Sequence, residues 1–167
     1  MPRATKREQI DLMLKQGKSN DRILMNTSLI VVAFTAFALI VTLQSQILVA
    51  HNILAMQLVL AIPLLLTSTM ANSKLAYTKH ETHWETLAWA TFIFGYGFLL
   101  NVVGILIALL IEIVPASVFF LVIVFLTFLY SAVEISYNRN IISRRLTKDL
   151  IFIMVLFIFG ILPILAL

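Results

Sequence analysis

The fold is decided by Glu85–Val114, which reads ETLAWATFIFGYGFLLNVVGILIALLIEIV. From Thr86 to Ile111 this stretch has no charged residue. Its 26 uncharged residues would extend about 39 Å as an α-helix, more than the roughly 30 Å hydrocarbon core of a bilayer. Small or polar residues recur along it at steps of three and four, broken at Phe94: Thr86, Ala90, Gly97, Asn101, Gly104, Ala108 and Glu112. Such a stripe faces other helices in a membrane, so the stretch predicts one helix of a membrane bundle.

The composition of the whole chain is that of a membrane protein. Of its 167 residues 61% are hydrophobic and 12% are charged, with a mean hydropathy of +1.02. A soluble domain has about 25% charged residues. Long runs with one charged residue at most predict five spans, at residues 23–49, 53–72, 86–111, 117–136 and 150–167. We therefore expect an all-α integral membrane protein with a single transmembrane domain, residues 23–167, preceded by a cytoplasmic or interfacial segment, residues 1–22.

The distribution of basic residues predicts the topology. Six of the twelve Lys and Arg residues precede the first span, two lie between the second and third, and four lie between the fourth and fifth. Five spans that start inside place all of them on one side. The positive-inside rule then predicts a cytoplasmic N-terminus, an outside C-terminus and a multi-pass location in the cytoplasmic membrane.

These basic residues flank the bilayer, so they favour anionic lipids of the inner leaflet over nucleic acid as partners. The predicted contacts with such lipids or with a partner protein are Arg139, Arg144, Arg145 and Lys148.

Residues 1–22 predict a short amphipathic helix that lies on the inner leaflet. Thr5 and Glu8 fit a capping box, and Gly17 is the expected end of the helix. The alternative is a charged tail that only orients the first span. The segment does not have the short apolar region and cleavage site of a signal peptide, so we expect the first span to be retained.

Polar stripes predict which helices lie inside the bundle. The stripe of the first span contains Ser28, Thr35, Ala38, Thr42 and Ser45, and that of the fourth contains Ser117, Thr127, Ser131, Glu134 and Asn138. The fifth span has no hydroxyl, amide or charged side chain. We therefore expect four helices packed with their stripes inward and the fifth helix on the lipid side.

Two residues are the strongest candidates for a functional role inside the membrane. Asn101 is the deepest strong hydrogen-bonding side chain, and Glu134 is the ionisable residue clearly inside an apolar span. Both are costly in hydrocarbon unless they find water or a partner. They either line a polar pathway with Thr127, Ser131 and Asn138, or Asn101 bonds a neighbouring helix and Glu134 pairs with Arg139 or another neighbour.

Two short motifs resemble known sites but lack the context that those sites need. Phe94–Gly97 contains the GYG of potassium-channel filters inside one long apolar run, without the threonine and valine that precede it there. His80–His83 is one residue short of HExxH, and two histidines do not make a metal site. The chain has no cysteine and no nucleophile–base arrangement, so we expect neither an enzyme, nor a metal site, nor a cofactor.

Two functions fit this pattern. The first is a homo-oligomeric ion channel or pore, lined by hydroxyl and amide stripes, with the Glu134 carboxylate near its inner mouth. The alternative is a non-catalytic subunit or regulator of a membrane complex, in which the stripes are packing faces. A pore requires that Asn101 and Glu134 face a shared axis in an oligomer. A subunit predicts that neighbours in the same chain seal both residues.

Overall fold

The protein is an all-helical bundle. A computed structural model describes residues 6–43, 51–76, 81–137 and 142–165. These residues form five long helices and no strand: α1 is Lys6–Leu43, α2 is Asn52–Leu75, α3 is Glu81–Leu110, α4 is Ile113–Tyr137 and α5 is Ile142–Leu165. All five are long and apolar enough to cross a membrane, so the predicted all-helical fold with five candidate spans is confirmed.

The first helix is longer than the sequence predicts. α1 runs unbroken from Lys6 to Leu43, so the expected helix end at Gly17 is wrong and no separate short helix forms there. A glycine inside a helix costs only about 0.5–1 kcal/mol relative to alanine, too little to end a long helix. Ser19 is already buried against α2 and donates to the Asn72 carbonyl oxygen at 2.5 Å. The predicted cap at Thr5 lies outside the described residues.

α3 is the central helix and packs against each of the other four. In its most apolar window 44% of the residues are buried, compared with 17% in α1 and 11% in α4. α1 packs mainly on α2, whereas α4 and α5 pack on α3 and on each other. The helices thus form two groups, α1–α2–α3 and α3–α4–α5, which share α3.

The middle of the predicted α3 stripe does face other helices. A Cβ atom at Gly97 would lie 2.8 Å from Val155 Cγ1 of α5, and one at Gly104 would overlap the Phe120 ring of α4. Asn101, between the two glycines, is fully buried. The missing side chains let α4 and α5 approach α3 closely, which is how small residues promote helix packing in membranes.

α1 packs through a different face from the predicted hydroxyl stripe. Its buried positions are spaced seven residues apart: Ser19, Asn26, Ala33 and Ile40. The hydroxyls of the predicted stripe are exposed, and each bonds a carbonyl of its own helix, as Thr35 Oγ1 does with Val31 O at 2.9 Å. A hydroxyl satisfied in this way needs no neighbouring helix. Ser45 lies outside the described residues.

α5 packs against α3 and α4 with 33% of its most apolar window buried, more than in α1 or α4, so the expectation that the fifth helix alone stays on the lipid side is wrong. The buried residues of α5 are Asp149, Phe152, Val155, Leu156, Gly160 and Ile164. α5 changes from α-helix to a π-helical turn at Phe157–Ile161 and back to α-helix at Leu162–Leu165. The helix has no polar side chain after Asp149, but its backbone offers hydrogen-bond acceptors to its neighbours.

Candidate functional site

A cavity of about 460 Å³ lies at the end of the bundle that carries the basic residues, and all five helices contribute to its wall. We call it the basic cavity. Its cationic residues are Arg22 of α1 and Arg144, Arg145 and Lys148 of α5. Its acidic residues are Glu85 of α3 and Glu134 of α4. The cavity is therefore a site where charges of both signs meet close to apolar spans.

Arg145 is the centre of an ionic network that joins α4 to α5. Its Nη1 lies 3.1 Å from Glu134 Oε2 and its Nε lies 3.4 Å from Asp149 Oδ1. Nε also donates to Ser131 Oγ at 2.8 Å, and Ser131 donates to the Asp149 carboxylate. The guanidinium carbon stands 4.7 Å from the centre of the Tyr130 ring. Because Ser131 and Asp149 are buried, this network fixes the register of the two helices.

The other cations of the cavity differ in how they are neutralised. Arg144 pairs with Glu85 at 2.8 Å in an exposed ion pair. Lys148 Nζ lies 5.1 Å from the centre of the Trp89 ring, where a cation–π contact forms. Within the described parts of the chain, neither Lys148 nor Arg22 has a carboxylate partner. These two residues, from α1 and α5, leave positive charge at the cavity.

Two buried amides border the same cavity and connect α1, α2 and α3. Asn26 Nδ2 donates to Ser68 Oγ at 2.9 Å, and Ser68 donates to the Ala88 carbonyl oxygen at 2.8 Å. Asn72 Nδ2 donates to the Ser68 carbonyl oxygen at 2.9 Å. The Oδ1 atoms of Asn26 and Asn72 are buried and have no hydrogen-bond partner among residues 6–43, 51–76, 81–137 and 142–165.

The basic cavity adjoins a larger groove, of about 680 Å³, that we call the apolar groove. The two share seven wall residues: Met25, Trp89, Phe92, Ile93, Tyr130, Arg145 and Lys148. Apart from Thr127 and Asp149, the rest of the groove is lined by apolar and aromatic side chains: Leu29, Tyr96, Ile123, Leu126 and Phe152. A charged head region and a hydrocarbon-like region are thus adjacent.

A second group of polar contacts lies away from both cavities. Asn101 Nδ2 donates to the Val155 carbonyl oxygen at 3.3 Å, and Gln57 Nε2 of α2 donates to the Phe159 carbonyl oxygen at 2.7 Å. Phe159 lies in the π-helical turn of α5, and Pro163, four residues later, has no N–H with which to bond its carbonyl in the α-helical manner. Gln57 supplies a side-chain donor to that carbonyl from α2.

The structure brings some of the predicted site residues together and separates others. Those at the basic cavity or in the Arg145 network are Ser131, Glu134, Arg144, Arg145 and Lys148. Thr127 borders the apolar groove and bonds its own helix, through Ile123 O at 2.8 Å. Asn101 belongs to neither cavity. Asn138 and Arg139 lie outside the described residues, and the described partner of Glu134 is Arg145.

Several residues of the site were not predicted from the sequence, among them Arg22, Asn26 and Asp149. Asn26 could have been found from the seven-residue spacing of Ser19, Asn26 and Ala33, which runs through small and polar residues. Asp149 is four residues after Arg145, a spacing that pairs charges on a helix. Nothing in the sequence indicated that Arg22 would meet the α5 cations.

The two motifs that the sequence analysis rejected as functional sites do not form such sites in the described structure. The GYG sequence, residues 95–97, lies within the continuous helix α3, where Gly95 packs against Leu65 of α2. His83 is exposed near the start of α3, and His80 lies outside the described residues. In the part of the chain that the structure describes, no three His, Cys, Asp or Glu residues are grouped to hold a metal ion.

No known protein family, curated protein or solved structure matches the chain. Its function is therefore inferred from the arrangement of its own side chains.

Proposed function

We propose that the protein is a non-catalytic subunit or regulator of a complex in the cytoplasmic membrane, with its N-terminus in the cytoplasm and its C-terminus outside. The burial of Asn101 carries this proposal. Its side chain has 0% exposure, and its amide group donates to Val155 O of the same chain. Sealing of this kind is expected when a polar stripe serves helix packing, since a pathway needs polar groups that reach its lumen.

The surroundings of the other candidate residues support the same reading. The Ser131 hydroxyl donates to Asp149, the Thr127 hydroxyl donates within α4, and the Glu134 carboxylate pairs with Arg145. Both carboxylates that border the basic cavity have an arginine partner. Carboxylates neutralised in this way suit an electrostatic role better than the proton transfer that an enzyme would require of them.

A homo-oligomeric ion channel is the second proposal. The Glu134 side chain is 39% exposed, and Thr127 is partly exposed on the same helix. Several copies with α4 turned toward a common axis would place both side chains along a route for cations. One chain has too few helices to enclose an aqueous route, so this function requires an oligomer.

We further propose that the basic end of the bundle lies in the cytoplasm and contacts anionic lipids of the inner leaflet. Arg22, Arg144 and Lys148 are the described residues that support this proposal. A basic residue close to an anionic membrane surface gains about 1 kcal/mol of binding energy, so a group of them orients and anchors the bundle.

The test is to measure the mass of the purified protein in mild detergent and the ion flux of the same sample in vesicles. We expect no flux above protein-free vesicles, and we expect a larger assembly in native membrane extracts than in the purified sample. A discrete homo-oligomer that conducts would establish the channel instead. Glu134→Gln should then change the cation preference of the channel. Glu112 is exposed and follows α3, so Glu112→Gln should leave the cation preference unchanged.

A further inference from the structure

We infer that the basic cavity and the apolar groove together hold one anionic phospholipid, with its phosphate in the basic cavity and an acyl chain in the groove. This inference deepens the lipid contact proposed above and rests on it. Surface attraction would gather many lipids loosely around the bundle. A site inside the bundle holds a single molecule in a defined position.

The charges of the basic cavity fit a phosphate. Glu85, Glu134 and Asp149 are all paired with Arg144 or Arg145. Arg22 and Lys148 form no ion pair among the described residues. The charge of Glu85 attracts Lys148, and the charges of Arg144, Arg145 and Arg22 repel it. A phosphate among these residues would replace that repulsion with attraction. Guanidinium and ammonium groups are the side chains that bind phosphate oxygens most strongly.

The net positive charge of the basic cavity favours a head group with a net negative charge. Phosphatidylglycerol carries its phosphate charge alone, whereas phosphatidylcholine adds a choline cation that Arg22 and Lys148 would repel. Asn26 and Asn72 line the same cavity, but their amide oxygens, unpaired among the described residues, are enclosed, as are those of Gln57 and Asn101 away from it, so the amides do not select the head group.

The apolar groove explains why the ligand is a lipid rather than a soluble phosphate compound. The groove is larger than the basic cavity and adjoins it at shared wall residues, which include the cations Arg145 and Lys148. Its lining of Leu29, Phe92, Ile123, Leu126 and Phe152 suits a hydrocarbon chain. A soluble phosphate would occupy the basic cavity and gain nothing from the groove.

The experiment uses the full chain in a neutral detergent and measures bound lipid by native mass spectrometry and thermal unfolding by fluorescence. The probes are phosphatidylglycerol, phosphatidylcholine with the same acyl chains, and glycerol phosphate. We expect one phosphatidylglycerol to stay bound to each chain and to raise the unfolding temperature. Phosphatidylcholine and glycerol phosphate should do neither at the same concentration.

Two pairs of variants locate the site. Arg22→Gln and Lys148→Gln should each weaken phosphatidylglycerol binding roughly fivefold, the loss expected for one basic residue. Lys18→Gln is the control, because it removes the same charge one turn earlier in α1 and does not border the cavity. In the groove, Leu126→Trp should weaken binding and Leu129→Trp should not, although the two leucines are similarly exposed on α4, at 53% and 50%.

Each other result would overturn a specific part of the inference. If Lys18→Gln and Arg22→Gln weaken phosphatidylglycerol binding equally, the lipid contacts only the surface of the bundle and the site is excluded. Glycerol phosphate that binds as tightly as the lipid would identify a soluble ligand. No preference for phosphatidylglycerol over phosphatidylcholine would contradict both the site and the surface contact. If a variant at Arg22 or Lys148 fails to fold, the pair of exposed leucines still decides the outcome.

Discussion

Two of the polar networks between the apolar helices are built differently. The network around Arg145 joins charged side chains of α4 and α5 beside the basic cavity. The contacts of Gln57 and Asn101 instead run from amide side chains to backbone carbonyls of α5, away from that cavity. The comparison separates polar residues that face a possible ligand from those that only hold helices together.

The physical reason lies in the cost of burying each group. A charge is costly in a low-dielectric interior, so the Arg145 guanidinium lies where opposite charges surround it and part of it reaches the cavity. An amide is cheaper to bury, provided that its donor finds a carbonyl. Interhelical hydrogen bonds of this kind contribute about 0.6 kcal/mol on average. We therefore expect disruption of the first network to have the larger effect.

Arg145→Met should cause the largest loss of stability. The substitution removes the cation that pairs with the buried Asp149 and the half-buried Glu134. Removing one partner of a buried ion pair costs about 3–5 kcal/mol. The Arg145 side chain is 22% exposed, so we expect the lower end, about 3 kcal/mol. Unfolding by sodium dodecyl sulfate in mixed micelles measures the change.

The control for this prediction is the neighbouring residue. Arg144 is 63% exposed, and an exposed ion pair contributes at most about 1 kcal/mol, so Arg144→Met should have a small effect. Adding Asp149→Leu to Arg145→Met should restore part of the lost stability, because it removes the unpaired buried charge. Equal losses from the two arginine variants would mean that the network around Arg145 is not buried.

Gly104→Ala should have an intermediate effect, because the Phe120 ring fills the space of a Cβ atom there. Phe120 is buried and also abuts Gly160 of α5, so the ring cannot move aside freely. Overpacking of this kind costs about 1–3 kcal/mol. Gly17→Ala is the matched control, since no other atom lies within 4 Å of its Cβ position. Gly17→Ala should stabilise α1 by about 0.5–1 kcal/mol. If Gly104→Ala also stabilises the protein, close packing at Gly104 is excluded.

Gln57→Leu should have the smallest effect, a loss of about 1 kcal/mol, because it removes the side-chain donor to the Phe159 carbonyl. Pro163→Ala supplies a backbone N–H four residues after Phe159, so Gln57→Leu should cost less in the Pro163→Ala background. The double-mutant cycle measures this coupling in the same mixed micelles. Independent effects of the two changes would show that the proline does not create the need for Gln57.

The contrast between hydroxyls and amides explains which sequence predictions succeeded. Asn101 was expected to bond another helix or line a pathway, and it bonds α5. The hydroxyls of α1 were expected to face the interior, yet Thr35 and Thr42 are exposed. A hydroxyl reaches the carbonyl four residues earlier in its own helix, whereas Asn101 finds its acceptor on another helix. An amide in a span is thus the better indicator of a packed face.

Five apolar helices and the packing role of the glycines beside Asn101 could be predicted from the residues alone. Long uncharged runs and small residues at helical spacing are sufficient for this, since both depend on single helices. The packing of α5 against α3 and the meeting of Arg22 of α1 with Lys148 of α5 at one cavity could be seen only in the folded chain. Backbone acceptors are the same in every sequence, and the charges of distant helices come together only when the helices pack.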